Sequence, residues 1–89
     1  MKKLHIEAAK VRTPAEFYAE LAKSVALPAH FGNNLDALYD FLTTDLAGGL
    51  EIHWHGFATY TADEKVKMGE VRSVLEEAGA ERPEIRLVI

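Results

Sequence analysis

Three short strand-like segments, each separated from the next by helix-like sequence, restrict the possible folds of this chain most strongly. Apolar and polar side chains alternate over residues 4–6 and again over residues 50–54, which predicts two strands. A mostly apolar run at residues 85–89 predicts a third strand, with little water contact. Strands that alternate with helices pair in parallel through right-handed crossovers. The sequence therefore predicts an α/β fold, a three-stranded parallel β-sheet with helices packed against it, in the order β-α-α-β-α-β.

The first and third helices are marked by capping boxes at their amino ends. Residues 13–16 read Thr-Pro-Ala-Glu and residues 61–64 read Thr-Ala-Asp-Glu, so each threonine and glutamate can bond the other's backbone N–H. Pro28 ends the first helix, and Gly79 predicts that the third ends nearby. Glu81 lies either in the last turn of this helix or in a solvated loop after it.

A shorter helix is predicted between these two, from a cap at Asn33 or Asn34 to about Thr43. Asp36 and Asp40 lie four residues apart on this helix, to one side of its apolar stripe. Like charges at this spacing destabilise a helix by roughly 0.2–0.5 kcal/mol, so folding alone gives little reason for the pair. The apolar stripe has the i, i+3, i+4, i+7 pattern and consists of Leu35, Leu38, Tyr39 and Leu42.

The charge balance and the absence of cysteine exclude several functions. The 89 residues include 14 acidic and 10 basic side chains, which argues against direct binding of nucleic acid. Without cysteine there is neither a disulfide nor a thiolate metal site, so packing alone must hold the fold. No apolar run approaches the ~20 residues of a membrane span, and the amino terminus lacks a signal-peptide core. We therefore expect one cytoplasmic domain over residues 1–89.

A second pair of acids, Glu77 and Glu81, has the same spacing near the end of the third helix. The helix dipole favours cations at this end, so these carboxylates oppose it, whereas Asp36 in a first turn is stabilised. A positively charged protein partner would explain both pairs. An acidic protein-binding face is the preferred interpretation, and an ordinary solvated surface is the alternative.

A metal site is a further interpretation. Glu51, His53 and His55 alternate along a strand and would share one face, where such ligands could hold zinc in a small metal-dependent enzyme. We favour the simpler interpretation, polar residues on the wetter face of an edge strand. The chain also lacks a Gly-x-Ser-x-Gly motif and a phosphate-binding glycine loop. We predict that it is not an enzyme and uses no cofactor.

A short connector, His30-Phe31-Gly32, precedes the acidic helix. Phe31 could anchor this connector in the core. Exposed instead, His30 and Phe31 would offer flat contact area to a partner at low entropic cost. The sequence leaves both possibilities open.

The run ALPAHFGNNLDALYDFLT, residues 26–43, resembles the barstar family, whose members are intracellular inhibitors of the bacterial ribonuclease barnase. The shared positions are Leu27-Pro28, Phe31-Gly32, the Asn-Leu-Asp-Ala-Leu-Tyr-Asp stretch at 34–40, and Leu42-Thr43. The strand LEIHW, the helix SVLEEAGAE and the closing strand match in place. The resemblance therefore covers almost the whole chain.

The resemblance implies a proteinaceous inhibitor that plugs the active site of a basic, barnase-like ribonuclease, one to one, as an immunity protein in a bacterial cytoplasm. Asp40 would take the place of the RNA phosphate among the enzyme's cationic side chains, with Asp36 in support. Glu77 would meet a further basic residue, and Glu81 would be a weaker rim contact. The implied partner-binding residues are His30, Phe31, Gly32, Asn34, Asp36, Tyr39, Asp40, Thr43, Thr44, Glu77 and Glu81. A barstar-like module that binds another basic protein is the alternative.

Several positions depart from the family's pattern. His30 stands where the family has tyrosine, Asn33 where it has glutamate, and Thr44-Asp45 where it has Gly-Trp. The family's cysteines are absent, while the acids singled out above remain. These departures indicate the same site aimed at a different ribonuclease, or at the same one with weaker binding. An imidazole at position 30 would also make binding depend on pH.

Overall fold

The computed structural model describes residues 1–89 and contains one parallel sheet of three strands. The strands are β1 (Lys2–Glu7), β2 (Leu50–His55) and β3 (Ile85–Val88). Both pairings are parallel, β1 with β2 and β2 with β3, so β2 is the central strand. The predicted sheet is confirmed. The placement of the Glu51 strand at an edge is wrong, because strand order depends on long-range packing that alternation does not encode.

Three helices connect these strands in the predicted order: α1 (Pro14–Ser24), α2 (Leu35–Asp40) and α3 (Ala62–Glu81). A π-helical turn (Phe41–Asp45) extends α2, and a 3-10 turn (Phe57–Thr59) precedes α3. Helix α3 continues through Gly79 and ends two residues later, at Glu81, close to its predicted end. A Cβ at Gly79 would lie 3.0 Å from the Ile85 carbonyl oxygen. The glycine therefore serves the close approach of β3 to the helix.

The two predicted capping boxes differ in detail. Thr61 accepts from the Glu64 N–H, and the Glu64 carboxylate accepts from the Thr61 N–H, so this box is complete. Thr13 accepts from the Glu16 N–H, but the Glu16 carboxylate takes the N–H of Arg12 instead. Each threonine accepts from an N–H group that a helix leaves unpaired at its start.

The helices cover one face of the sheet, where alternate side chains of every strand are buried or half-buried. Leu4 pairs with Ile52, and Ile52 pairs with Leu87, so the apolar residues of the three strands form rows beneath α1 and α3. The core contains 21 buried residues, all of them hydrophobic. Packing alone therefore supports the fold, as expected for a chain without cysteine.

The opposite face of the sheet is open to solvent, although parallel sheets are usually covered on both sides. Its side chains are polar on β1 and β2 and include Lys3, His5, Glu51 and His53. At the end of β3, Val88 is 45% exposed and Ile89 is 54% exposed. The expectation of little water contact for this strand is therefore wrong, because β3 is an edge strand with one uncovered face.

Candidate recognition face

Asn34 shapes the loop that leads into α2. Its side-chain oxygen accepts from the Ala37 N–H at 2.8 Å, and its amide nitrogen donates to the Gly32 carbonyl at 3.2 Å. Asn33 takes a left-handed conformation with φ of 50°, which asparagine tolerates better than most residues. Of the two predicted caps, Asn34 is therefore the cap and Asn33 makes the turn before it.

The aromatic connector is anchored in the core by Phe31. Its ring is half-buried and packs edge-to-face on Tyr18 and Phe41, with centroids 5.6 and 6.3 Å away. A Cβ at Gly32 would lie 2.8 Å from the Asn34 amide nitrogen, so a larger residue would displace the cap. His30 stays exposed. Of the two possibilities for this connector, Phe31 follows the first and anchors it in the core, whereas His30 remains exposed on the surface.

An open cleft of about 400 Å³ runs between α2 and α3 and is called the α2–α3 cleft below. Asp36 and Asp40 line it from α2, and Glu77 lines it from α3. The other lining residues, Leu35, Tyr39 and Val74, are half-buried. The structure therefore brings Asp36, Tyr39 and Asp40 together with Glu77, which is distant from them in sequence.

The three acids of this cleft have no partner within the chain. Asp36, Asp40 and Glu77 are exposed and take part in no ion pair or side-chain hydrogen bond. The acids that do form ion pairs lie outside this cleft and are Glu20, Glu51, Glu64, Glu76 and Glu84. The α2–α3 cleft is therefore an anionic surface available to an external cation.

A second cleft, of about 190 Å³, lies on the other side of α2 and is called the loop cleft. Asp40 borders both clefts, and Asp45 and His30 lie on the rim of the loop cleft. Its remaining lining residues are Pro28, Phe31, Gly32, Ala37 and Phe41. Asp45 is absent from the predicted site residues. Its five-residue spacing from Asp40 gives no common face in an ordinary α-helix, so no periodic signal marked it.

The remaining predicted residues lie at the borders of these clefts. The Thr43 hydroxyl donates to the Tyr39 carbonyl at 2.8 Å, so Thr43 could only accept a bond from a partner. Thr44 is exposed on the π-helical turn. Glu81 is exposed and is the last residue of α3, so it lies at the end of the helix, as its pairing with Glu77 predicted, and not in a loop. It does not line the α2–α3 cleft.

Arg82 directly follows α3, and sequence reasoning missed its role. Its guanidinium donates to the carbonyls of Leu42 and Leu46, at 2.9 and 2.8 Å, and to that of Gly48 at 3.0 Å. The side chain is only 20% exposed and also lies 3.6 Å from a Glu84 carboxylate oxygen. These carbonyls are 34 to 40 residues away in sequence, so no local pattern could indicate them.

The histidine-rich face of the sheet is a second cluster of titratable groups. Glu51 and His53 are hydrogen-bonded at 2.5 Å, and the pKa of Glu51 is lowered, mainly by this bond. The His5 ring stacks on His53 and His55, with centroids 5.0 and 5.9 Å away. No three His, Asp or Glu side chains are arranged to hold a metal ion. The zinc interpretation therefore has no ligand set here.

These features define a small parallel α/β protein that presents exposed, unpaired carboxylates along an open cleft between two helices. None of its helices combines the length and the apolar character needed to cross a membrane. The sequence matches the family model Barstar (barnase inhibitor) over residues 1–89. The chain belongs to the barstar family, which is a family of inhibitors and not of enzymes.

Proposed function

We propose that this chain inhibits a basic, barnase-like ribonuclease by placing α2 and the preceding loop in its active site, one to one, inside a bacterial cell. The observation that carries the proposal is the grouping of Asp36, Asp40 and Glu77 on one open cleft, without internal partners. Membership of the barstar family supports a ribonuclease as the partner.

Asp40 has the central role in this proposal because it borders both clefts. A ribonuclease site holds cationic side chains that bind the phosphates of RNA. Asp40 would accept charge-assisted hydrogen bonds from those groups, which are strong once water is excluded. Asp36 and Glu77 would extend the contact along the α2–α3 cleft, and the loop from His30 to Asn34 would block the entry of substrate.

The charge of the chain supports rapid association with such a partner. The formal charge is −4, and the cleft acids are exposed. Opposite fields steer two proteins together, and salt screens this attraction over about 8–10 Å at ordinary ionic strength. Association should therefore slow as salt is raised, while the contacts buried in the complex mainly set the dissociation rate.

The first experiment is a titration of the chain into a barnase-type, guanyl-specific ribonuclease, read as RNA cleavage. Asp40→Ala is tested beside it. Asp63→Ala is the matched control, because Asp63 is an exposed acid in the first turn of α3, about 20 Å along the helix from Glu77. We expect one-to-one inhibition by the wild type and the control, and its loss in Asp40→Ala. A folded wild type that leaves cleavage unchanged would contradict the proposal.

A binding module for a different basic protein is the second candidate. The exposed residues His30, Thr44 and Asp45 support it, because they are departures from the family's pattern and lie at or beside the loop cleft. Capture of basic proteins on the immobilised chain separates the two candidates. Recovery of a nuclease favours the first, and recovery of a basic protein without nuclease activity favours the second.

A further inference from the structure

The π-helical turn changes which side chains share a face with Asp40. In an α-helix, residues five apart are rotated by about 140° around the axis. In this turn the Leu46 N–H donates to the Phe41 carbonyl at 2.8 Å, five residues back. The wider turn brings residues five apart toward one side, and Asp40 and Asp45 do line the same loop cleft.

Arg82 fixes this turn from outside. One guanidinium nitrogen donates to the carbonyls of Leu42 and Leu46, and another donates to the carbonyl of Gly48. Carbonyls at the end of a helix have no partner within it, so a cation with several donors stabilises them. Through these bonds Arg82 links the end of α3 to the turn and the loop after it.

Asp45 itself has no partner in the chain. It is exposed and takes part in no ion pair or side-chain hydrogen bond. Lys2 lies with Asp45 on a neighbouring cleft of about 190 Å³ but is not within ion-pair distance. The aromatic side chains of Phe31 and Phe41 line the loop cleft beside Asp40 and Asp45, so a guanidinium entering there would meet both carboxylate and ring.

We propose that Arg82 is a positioning residue of the recognition face. By fixing the π-helical turn, it holds Asp45 beside Asp40, and Asp45 takes a cationic side chain of the partner in the loop cleft. This inference rests on the proposed function, since the partner is the basic ribonuclease. It makes Asp45 a specificity residue that selects a ribonuclease with one more cation at this point.

The sign of the effect separates positioning from simple electrostatics. Arg82 is a cation close to an acidic face, so its charge alone opposes the approach of a basic partner. Removing it should then strengthen binding if only the charge matters. The positioning role predicts weaker binding instead, because the turn and Asp45 lose their fixed placement.

The test is a double-mutant cycle of Arg82→Met and Asp45→Asn, with the dissociation constant for the ribonuclease measured well below each variant's melting temperature. We expect each single change to weaken binding about tenfold, and Arg82→Met to have less than about a twofold effect when it is added to Asp45→Asn. Arg82→Lys should restore little, because a point charge cannot bond three carbonyls in a fork. Amide exchange at Leu46 in the free protein should accelerate in Arg82→Met.

Several outcomes would overturn the inference. Unchanged or tighter binding by Arg82→Met would show that the charge matters and the placement does not. If Arg82→Met weakens binding equally in the wild type and in the Asp45→Asn variant, Arg82 is a purely structural residue. If the wild type inhibits and Asp40→Ala does not, yet Asp45→Asn binds normally, this inference alone fails. If the wild type itself does not bind, the proposed function fails with it.

Discussion

The α2–α3 cleft and the open face of the sheet both carry exposed or half-exposed carboxylates, but only those on the sheet are paired within the chain. On the sheet, Glu51 bonds His53 and lies 3.8 Å from a guanidinium nitrogen of Arg86. In the cleft, Asp36 and Asp40 have no such neighbours. The same chemical group is therefore satisfied within the chain in one region and left for an outside partner in the other.

This difference separates charges that serve the fold from charges that serve binding. A carboxylate with a cationic partner in the same chain stabilises the folded state. A mutation that removes the carboxylate therefore lowers the stability of the fold. A carboxylate placed beside another of the same sign, such as Asp40 beside Asp36, costs a little stability instead. We infer that stability and affinity depend on different acids in this chain.

The largest expected effect comes from testing the two regions in one assay. Asp40→Asn should weaken binding to the ribonuclease by roughly 2–5 kcal/mol, a range that the barnase–barstar complex itself helped to define, because the enzyme's cations stay buried and unpaired. Glu51→Gln should leave the affinity unchanged. Calorimetric titration of both variants measures the difference in affinity. In thermal unfolding of the free proteins we expect the reverse order, with Glu51→Gln lowering the melting temperature more than Asp40→Asn.

A loss of affinity in Glu51→Gln that equals the loss in Asp40→Asn would contradict this distinction between the two regions. It would mean that the sheet face also contacts the partner or that the affinity follows net charge alone. A variant with the same change of charge at Asp63 tests the second explanation, since Asp63 lies in the first turn of α3.

The next effect concerns Glu77, where affinity and stability should move apart. Glu77→Gln should weaken binding by roughly 1–2 kcal/mol as a contact of the α2–α3 cleft. The melting temperature should stay the same or rise slightly, because Glu77 lies near the carboxyl end of α3, where the helix dipole opposes an acid. Surface plasmon resonance measures the affinity, and differential scanning calorimetry measures the melting temperature, both on one preparation. A clear fall in melting temperature would show that Glu77 supports the fold.

The fold was predictable where its determinants are local. Alternation in β1 and β2, the Thr13 cap, the capping box at Thr61 and the Asn34 cap all act within a few residues. The central place of β2 and the exposure of Val88 were not predictable in this way. Both depend on which strand and which helix pack against one another, and that choice is made across the whole chain.

The candidate recognition face, formed by the α2–α3 cleft and the loop cleft, divides in the same manner. Asp36 and Asp40 are marked by their spacing in one helix, and the family resemblance indicated Glu77 as well. Asp45 was noted only as a departure from the family's pattern and not as a binding residue, because the π-helical turn has no residue signature and changes the angular position of everything after it. Arg82 was missed because its bonds reach carbonyls far away in sequence. Local periodicity finds the acids, and only the folded chain shows what orients them.

The acid sensitivity of the fold should depend on Glu51. Its pKa is lowered in the folded protein, first by the hydrogen bond from His53. A carboxyl group whose pKa is lower in the folded state stabilises the fold at pH values above its unfolded pKa, about 4.5. This stability is lost as the pH falls through the folded pKa. The difference in melting temperature between wild type and Glu51→Gln should therefore shrink from pH 7 to pH 3. A difference that stays constant over this range would show that ionisation of Glu51 does not stabilise the fold.

The smallest expected effect is at Glu81, the other acid of the α3 pair. It is exposed at the last residue of the helix and outside the α2–α3 cleft, so it should act on the partner only through its field. Glu81→Gln should slow association by less than about threefold at low salt and leave dissociation unchanged. The same change should stabilise the free protein by roughly 0.3–1 kcal/mol, because the helix dipole makes an acid at the carboxyl end of a helix unfavourable. Stopped-flow association at two salt concentrations tests it: an effect that persists at high salt would place Glu81 inside the contact, beside Glu77.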